Sequence, residues 1–316
     1  MKTLSAPDQV GSGHLADADL LRIMTGAASV RLALWKRFLA SRSTCRHMPI
    51  VTLLSDFGSR DQYVSEMKGT ILTLCPSATV VDISHEIEKF SIRMGAFVLA
   101  AASGYFPVGT VHVAVVDPSV GGGRRSLLIE CRRAVYIGPD NGLLLPAASR
   151  DGIKEAYSIE NQRFMRSPVS STFHGRDVFA YAAAMIACGA EPSEVGPSIS
   201  DMVSATFAEA ITSHGRISCE ILATDSFGNI VTTAGTKDLD VAGVEIGKTI
   251  AIRAKGRVYS LNVVRSYSDA AEGRAVLLVG SHGFLEVAIN KGNAAKTFHV
   301  RPGDKLVLMS GRGHRS

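Results

Sequence analysis

The chain has 316 residues, 46% of them hydrophobic and 20% charged, with a net charge of +5. That length leaves room for two ordinary domains, each with a core, and the composition excludes a disordered or fibrous protein. No run of 18 apolar residues occurs, so a hydrophobic membrane-spanning helix is not expected.

Residues 1–50 hold seven Lys/Arg against three Asp, which leaves 27 basic and 26 acidic residues for the rest. The positive charge therefore belongs to the N-terminal stretch, and the nearly neutral body offers no cation cluster for phosphates. Nucleic-acid binding is not expected. Five cysteines, Cys45, Cys75, Cys131, Cys188 and Cys219, form no C-x-x-C pair. Their odd number and wide spacing argue against a disulfide framework or a zinc knuckle and favour a reducing, cytoplasmic setting.

Residues 1–47 read as an extension, with Val30, Leu34 and Phe38 at four-residue spacing beside Arg31, Lys36 and Arg37. A short basic amphipathic helix, a membrane-surface segment or a transit-like address would each fit. The plainer expectation is that translation starts at Met48, immediately before the first strand.

From Pro49 an α/β pattern begins. Residues 50–54 form a β-branched apolar run of buried-strand type. Tyr63, Met67 and Ile71 then repeat at helical spacing until Pro76. Residues 79–81 read as a second strand, Ile92, Ala96, Leu99 and Ala100 as a second helix, and residues 111–116 as a third strand ending at Asp117. An Ala-rich helix at 178–188 is followed by a Gly/Pro/Ser-rich loop to about Gly215. Seven short strands follow, over 217–223, 230–233, 249–253, 258–264, 275–279, 285–289 and 305–309. The expected architecture is an α/β domain over 48–205, a layered sheet with helices, and a smaller all-β barrel or sandwich over 206–316.

Several short strings imitate known sites. Asp56-Phe57-Gly58 and His174-Gly175-Arg176-Asp177 lack the Gly-rich loop and strand lysine of a kinase. Gly121-Gly122-Gly123 is not followed by Gly-Lys-Ser/Thr, and His85-Glu86 is no H-E-x-x-H zinc site, so no metal is expected.

What remains is a set of polar residues at strand ends. Asp56 follows the first strand, where a carboxylate suits the paired hydroxyls of a ribose; an N-cap for the next helix is an equal alternative. Asp117 opens a Gly-rich turn reaching Arg124 and Arg125, which fits either a small-ligand cleft or a solvated salt bridge. Gly138–Gly142 reads as a hairpin turn. His174 lies beside Gly175 just before the Ala-rich helix, which Asp177 would cap. Asp225–Asn229 and Ser281–Glu286 are turn-like, though Phe227 offers a stacking face and Asn229 an amide for a purine edge.

In this order the segments resemble the S-adenosylmethionine hydroxide adenosyltransferase family, relatives of the fluorinases and chlorinases. The matching landmarks are residues 53–58, 81–85, 109–113, 117–125, 138–142, 172–177, 225–229 and 281–290. One departure is Ser119, where the hydrolytic branch carries glycine after Asp-Pro. The resemblance implies a homotrimer of two-domain subunits, with substrate between the α/β domain of one and the β domain of its neighbour. It places the water-handling trio on Asp117, Arg124 and His174 and the ribose on Asp56. Phe227 and Asn229 would address adenine, and Asp225, Ser281 and Glu286 the methionine end. The expected activity is hydrolysis of S-adenosylmethionine to adenosine and methionine with no cofactor. The halogenases carry tyrosine at the position of Asp117, so a halide-dependent transferase ranks second. A non-catalytic adenosyl-ligand binding protein is the alternative of a different class.

Overall fold

A computed structural model describes residues 48–204 and 209–310. The expectations for residues 1–47 lie outside these described residues. Residues 49–316 form one unit, built around two sheets.

The first sheet takes its strands from β1 (Ile50–Ser55), β2 (Thr79–Ser84), β3 (Thr110–Val115), β4 (Ser126–Cys131), β5 (Ala134–Pro139) and β6 (Ile153–Ser158), in the order β2-β1-β3-β5-β4-β6. Strands β1, β2, β3 and β5 run parallel, and β4 is antiparallel to both its neighbours. Helices α1 (Tyr63–Leu74), α2 (Ile92–Ala102), α3 (Leu145–Asp151) and α4 (Tyr181–Ala187) cover both faces. Alternation along β1 explains how. Val51 and Leu53 point to one face and pack with Met67 and Ile71 of α1 and Ala182–Ala184 of α4. Leu54 points to the other, with Ala96 and Leu99 of α2 and Ala147 and Ala148 of α3.

His112 of β3 lies wholly buried between layers, with Nδ1 2.7 Å from Thr52 Oγ1 and its ring stacked on Tyr136. Burial pushes its pKa down to about 4, so it is neutral at pH 7.

The second sheet contains β7 (Ile211–Ser213), β8 (Arg216–Thr224), β9 (Ile230–Gly235), β10 (Thr249–Ala254), β11 (Arg257–Val263), β12 (Ala275–Val279), β13 (Phe284–Ile289) and β14 (Lys305–Ser310). Because β14 pairs with both β10 and β8, seven strands close into a barrel, with β7 added alongside β8. Closure removes the exposed edges that a sandwich would keep. Leu308 stands opposite Ile252 on one side and Ile217 on the other, and all three are buried in the barrel core. Two short helices, α5 (Thr236–Ala242) and α6 (Ala294–Phe298), pack against it. The barrel leans on α2, through the ion pair of Arg93 with Glu220 and the edge contact of Phe97 with Phe284 at 5.5 Å.

The seven barrel strands fall where the pattern predicts them. The α/β domain holds more than the pattern showed: β4, β5, β6 and α3 were not anticipated. The expectation for Gly138–Gly142 is corrected as well. Gly138 and Pro139 finish β5, and the turn that follows leads into α3, whereas the hairpin lies at residues 132–133 between β4 and β5.

Candidate active site

The chain leaves β1 to form β2 on one side and then β3 on the other. The carboxyl ends of β1 and β3 therefore flank a topological switch point, where open α/β sheets leave a crevice for ligands. Ser55 stands opposite Val115 in the register, so Asp56 and Asp117 both emerge at this edge. Asn141 fixes the second exit, its amide donating to the Val116 carbonyl at 2.8 Å.

Asp117, Arg124 and His174 come together there. Arg124 donates to Asp117 Oδ2 from Nε at 3.0 Å and from Nη2 at 2.5 Å. Nη2 also lies 2.9 Å from His174 Nδ1, and Nη1 donates to Ser126 Oγ at 2.9 Å. The guanidinium carbon sits 5.2 Å from the centre of the Phe179 ring. The Asp117 and Arg124 side chains are 4% and 8% exposed, so the pair is largely shielded from water. Burial first, and then the Arg124 charge, hold the His174 pKa below the ordinary histidine value. Arginine only donates, so Nδ1 accepts and the proton of neutral His174 resides on Nε2.

The Gly-rich turn makes this closeness possible. Gly121 has φ +76° and lies against the Ser171 carbonyl, where no side chain would fit. Ser119, the departure from the family pattern, places its hydroxyl 3.4 Å from Asp117 Oδ1. The segment carrying His174 runs into a π-turn over Gly175–Ala180 ahead of α4. Asp177 does not cap this helix. It is fully buried inside the turn and ties down the preceding loop through Arg176 Nε at 2.7 Å and Ser170 N at 2.8 Å.

Asp56 is 6% exposed and is not an N-cap either; Gln62 occupies that position. Its Oδ2 accepts from Phe90 N at 2.9 Å, and Lys89 Nζ donates to its backbone carbonyl. Phe57, next in sequence, meets Phe173 at 5.8 Å and Tyr63 at 5.6 Å. This aromatic group joins the Asp56 turn to the His174 loop.

The barrel residues gather separately. Asp225 Oδ1 accepts from Phe227 N at 3.0 Å and Asn229 N at 2.8 Å, and Oδ2 accepts from Asn229 Nδ2 at 2.9 Å. Asp225 thus shapes the turn that presents Phe227, whose side chain is 76% exposed. A cavity of about 660 Å³ lies beside them, lined by Phe227, Asn229, Tyr267 and residues 289–293. The volume is within the range of small-molecule sites. Tyr267 donates to Glu286 Oε2 at 2.7 Å, and burial and the Glu286 carboxylate push its pKa upward.

Ser281 is placed differently from the other barrel residues. With His282 it borders another cavity, of about 390 Å³, formed by Ser103–Pro107, Arg133, Tyr136 and Arg150 near the amino end of β3 and β5. No hydrogen bond or ion pair among the described residues joins the Asp117 cluster to the Phe227 cluster within one chain. Sequence reasoning missed Tyr267 and Ser126. Tyr267 sits in the polar run Ser266–Asp269, which reads only as a turn, and Ser126 reads only as the first residue of a strand. No group of three His, Cys, Asp or Glu residues suited to a metal ion occurs among the described residues. No helix among them is long and apolar enough to cross a membrane.

The chain thus carries an acid, an arginine and a histidine at the switch point of an α/β layer, followed by a closed barrel with an aromatic-lined cavity. Family profiles agree over most of the chain: the SAM hydroxide adenosyltransferase N-terminal domain matches residues 51–196 and the C-terminal domain residues 219–307. The chain belongs to the S-adenosylmethionine hydroxide adenosyltransferase family. It is 37% identical to an (R)-S-adenosyl-L-methionine hydrolase of Thermus thermophilus, over 82% of this chain and 99% of that one. A fluorinase of Actinoplanes is more distant, at 28% identity over 81% of this chain and 95% of its own. Among solved structures, an uncharacterized conserved protein of Thermotoga maritima superimposes with a TM-score of 0.78 at 30% identity, covering 82% of this chain and 99% of that chain.

Proposed function

We propose that this chain is an enzyme that hydrolyses S-adenosylmethionine to adenosine and methionine, by attack of water on the 5′ carbon. One observation carries the reading: the Arg124 guanidinium is hydrogen-bonded to both Asp117 and His174 at the switch-point edge. That is a fixed acid–base cluster where a small ligand would lie, and relatives named as hydrolases match this chain in sequence over 96–99% of their own length.

The chemistry asks little of the protein beyond placement. The sulfonium leaves as a neutral thioether, so neither a leaving-group acid nor a metal or other cofactor is needed. Alignment of water opposite sulfur can supply up to ~7–11 kcal/mol of barrier reduction. Arg124 occupies Asp117 Oδ2, and Oδ1 retains only the distant Ser119 hydroxyl, so Oδ1 is the acceptor for the proton released as oxygen bonds to carbon. His174 carries its proton on Nε2 and serves as a donor that orients the water. A buried carboxylate at this point repels a halide, which disfavours halogen transfer.

Asp56 holds the ribose hydroxyls, with Phe227, Tyr267 and Asn229 around the adenine. Glu286, bonded to Tyr267 beside the cavity, addresses the methionine end, and Ser281, which borders the other cavity, is the site residue least supported by this placement. Asp225 shapes the Phe227 turn through three bonds, and its Oδ2, which accepts only one of them, keeps acceptor capacity for the methionine end. In this reading the site is completed between subunits of a homotrimer, the Asp117 cluster of one meeting the Phe227 cluster of its neighbour. The cytoplasm, where the substrate and free thiols coexist, is the compartment of this reading.

The test is incubation of the purified protein with S-adenosylmethionine in halide-free, oxygen-18 water, followed by chromatography with mass detection. Adenosine labelled at its 5′ oxygen, with equimolar methionine, is expected. Binding without turnover, or product only after halide is added, would refute hydrolysis. Sharing of the site is checked by mixing subunits inactivated at Asp117 with subunits inactivated at Phe227; recovery of activity in mixed oligomers is expected, and none if each chain works alone.

A further inference from the structure

We propose that His85 is a positioning residue for substrate, holding the Ser55–Gly58 turn so that the Asp56 carboxylate meets both ribose hydroxyls. This rests on the role given to Asp56 above. His85 closes the run Asp82-Ile83-Ser84-His85, for which the reaction itself has no use. It is 8% exposed, and its two ring nitrogens face different partners. Nδ1 lies 2.7 Å from Ser55 Oγ. Nε2 lies 3.1 Å from Asp82 Oδ1, at ion-pair distance but without hydrogen-bond geometry, and Asp82 Oδ2 accepts from Lys68 Nζ at 2.6 Å.

This chain of contacts selects a tautomer. Burial would raise the Asp82 pKa, but the bond from Lys68 and the close approach of His85 outweigh it and keep the carboxyl ionised. A carboxylate facing Nε2 demands a proton there, because two lone pairs at that distance repel. In the neutral ring Nδ1 is then an acceptor, the Ser55 hydroxyl donates to it, and the Ser55 oxygen is left to accept from Phe57 N at 3.3 Å. The backbone adds Gly58 N to His85 O at 2.7 Å and Ile87 N to Ser55 O at 3.4 Å. Asp56 is braced on both sides, through the residue before it and the residue after. The segment leading away from His85 then reaches the carboxylate itself, by Phe90 N on Oδ2. A histidine that merely filled space would leave the direction of that carboxylate to chance.

Calorimetric titration of the full-length protein with adenosine and with 2′,3′-dideoxyadenosine separates the two roles. The parent protein is expected to prefer adenosine by about 10- to 100-fold, as befits hydrogen bonds to a charged group. Asp56→Asn should abolish the preference. His85→Leu should weaken adenosine at least about tenfold while leaving dideoxyadenosine unchanged. His85→Asn, whose side-chain oxygen takes the place of Nδ1 opposite Ser55, should restore most of the loss. Ser55→Ala should reproduce the leucine result with the imidazole still in place, so the idea stays testable if His85→Leu does not fold. Both ligands weakening equally in His85→Leu or Ser55→Ala, or adenosine preference persisting there while Asp56→Asn loses it, overturns the positioning role alone. Preference surviving in Asp56→Asn overturns the ribose reading and this inference with it.

Discussion

Replacing Asp117 with asparagine probes how its two oxygens divide their work. Oδ2 takes both Arg124 bonds, at 3.0 and 2.5 Å, while Oδ1 has only the Ser119 hydroxyl at 3.4 Å. Asparagine keeps the shape and one acceptor, which Arg124 would claim, and so turns an amide donor toward the water. The buried guanidinium loses its counter-charge but keeps His174, Ser126 and the new carbonyl as partners. Breaking a buried pair outright costs about 3–5 kcal/mol. The retained acceptor places this variant at or below about 3 kcal/mol, readable by urea unfolding. Loss of the proton acceptor should lower kcat by about 100- to 10,000-fold with KM nearly unchanged. Initial rates of adenosine formation, measured on protein shown to be folded, give both constants. An increase in KM at intact kcat would mean that Asp117 binds substrate without handling water. A rate within tenfold of the parent would remove it from catalysis altogether.

His174, held below its ordinary pKa by burial and Arg124, should stay neutral as pH falls past 6.5, so the acid limb of kcat/KM should lie below that value. In Arg124→Leu the lowering charge is gone and those of Asp117 and Asp177 remain; NMR titration of the ring should show its pKa rising, and no rise would refute the assigned contact. For His112, a folded pKa of about 4 against 6.5 unfolded corresponds to about 3 kcal/mol. That stability is complete above pH 6.5 and is lost as pH falls toward 4, so His112→Gln should flatten this part of the stability–pH curve, and an unchanged slope would count against it. Gly121→Ala should cost at least about 1–2 kcal/mol for the left-handed backbone, and more through its collision with the Ser171 carbonyl, with a fall in kcat as the Arg124 turn shifts. Parent-like melting and kcat would refute that packing.

The barrel was legible because each strand announces itself separately. Alternation puts Ile217, Ile252 and Leu308 inward, and closure then follows from pairing β14 with both β8 and β10. The middle of the α/β domain was harder to read. Strands β4 and β5 are joined by Arg132-Arg133, which carries no turn glycine, and Pro146 sits in the first turn of α3, so the usual punctuation is missing or misleading. Among the site residues, those at strand exits were legible one by one, since Asp56 and Asp117 sit where parallel strands end. Their dull alternatives could be removed only in three dimensions: the N-cap role falls to Gln62 and the solvated salt bridge turns out to be buried. Tyr267 could not be found from sequence because its position depends on the distant Glu286, nineteen residues away along the chain. The same limit explains Asp225. Its carboxylate bonds the amides of Phe227 and Asn229, two and four residues ahead, so it holds its own loop whatever else it touches. A sequence can show that chemistry-bearing residues are present and in order. Which of them touch the substrate depends on whose hydrogen-bonding capacity remains unspent once the loop is folded.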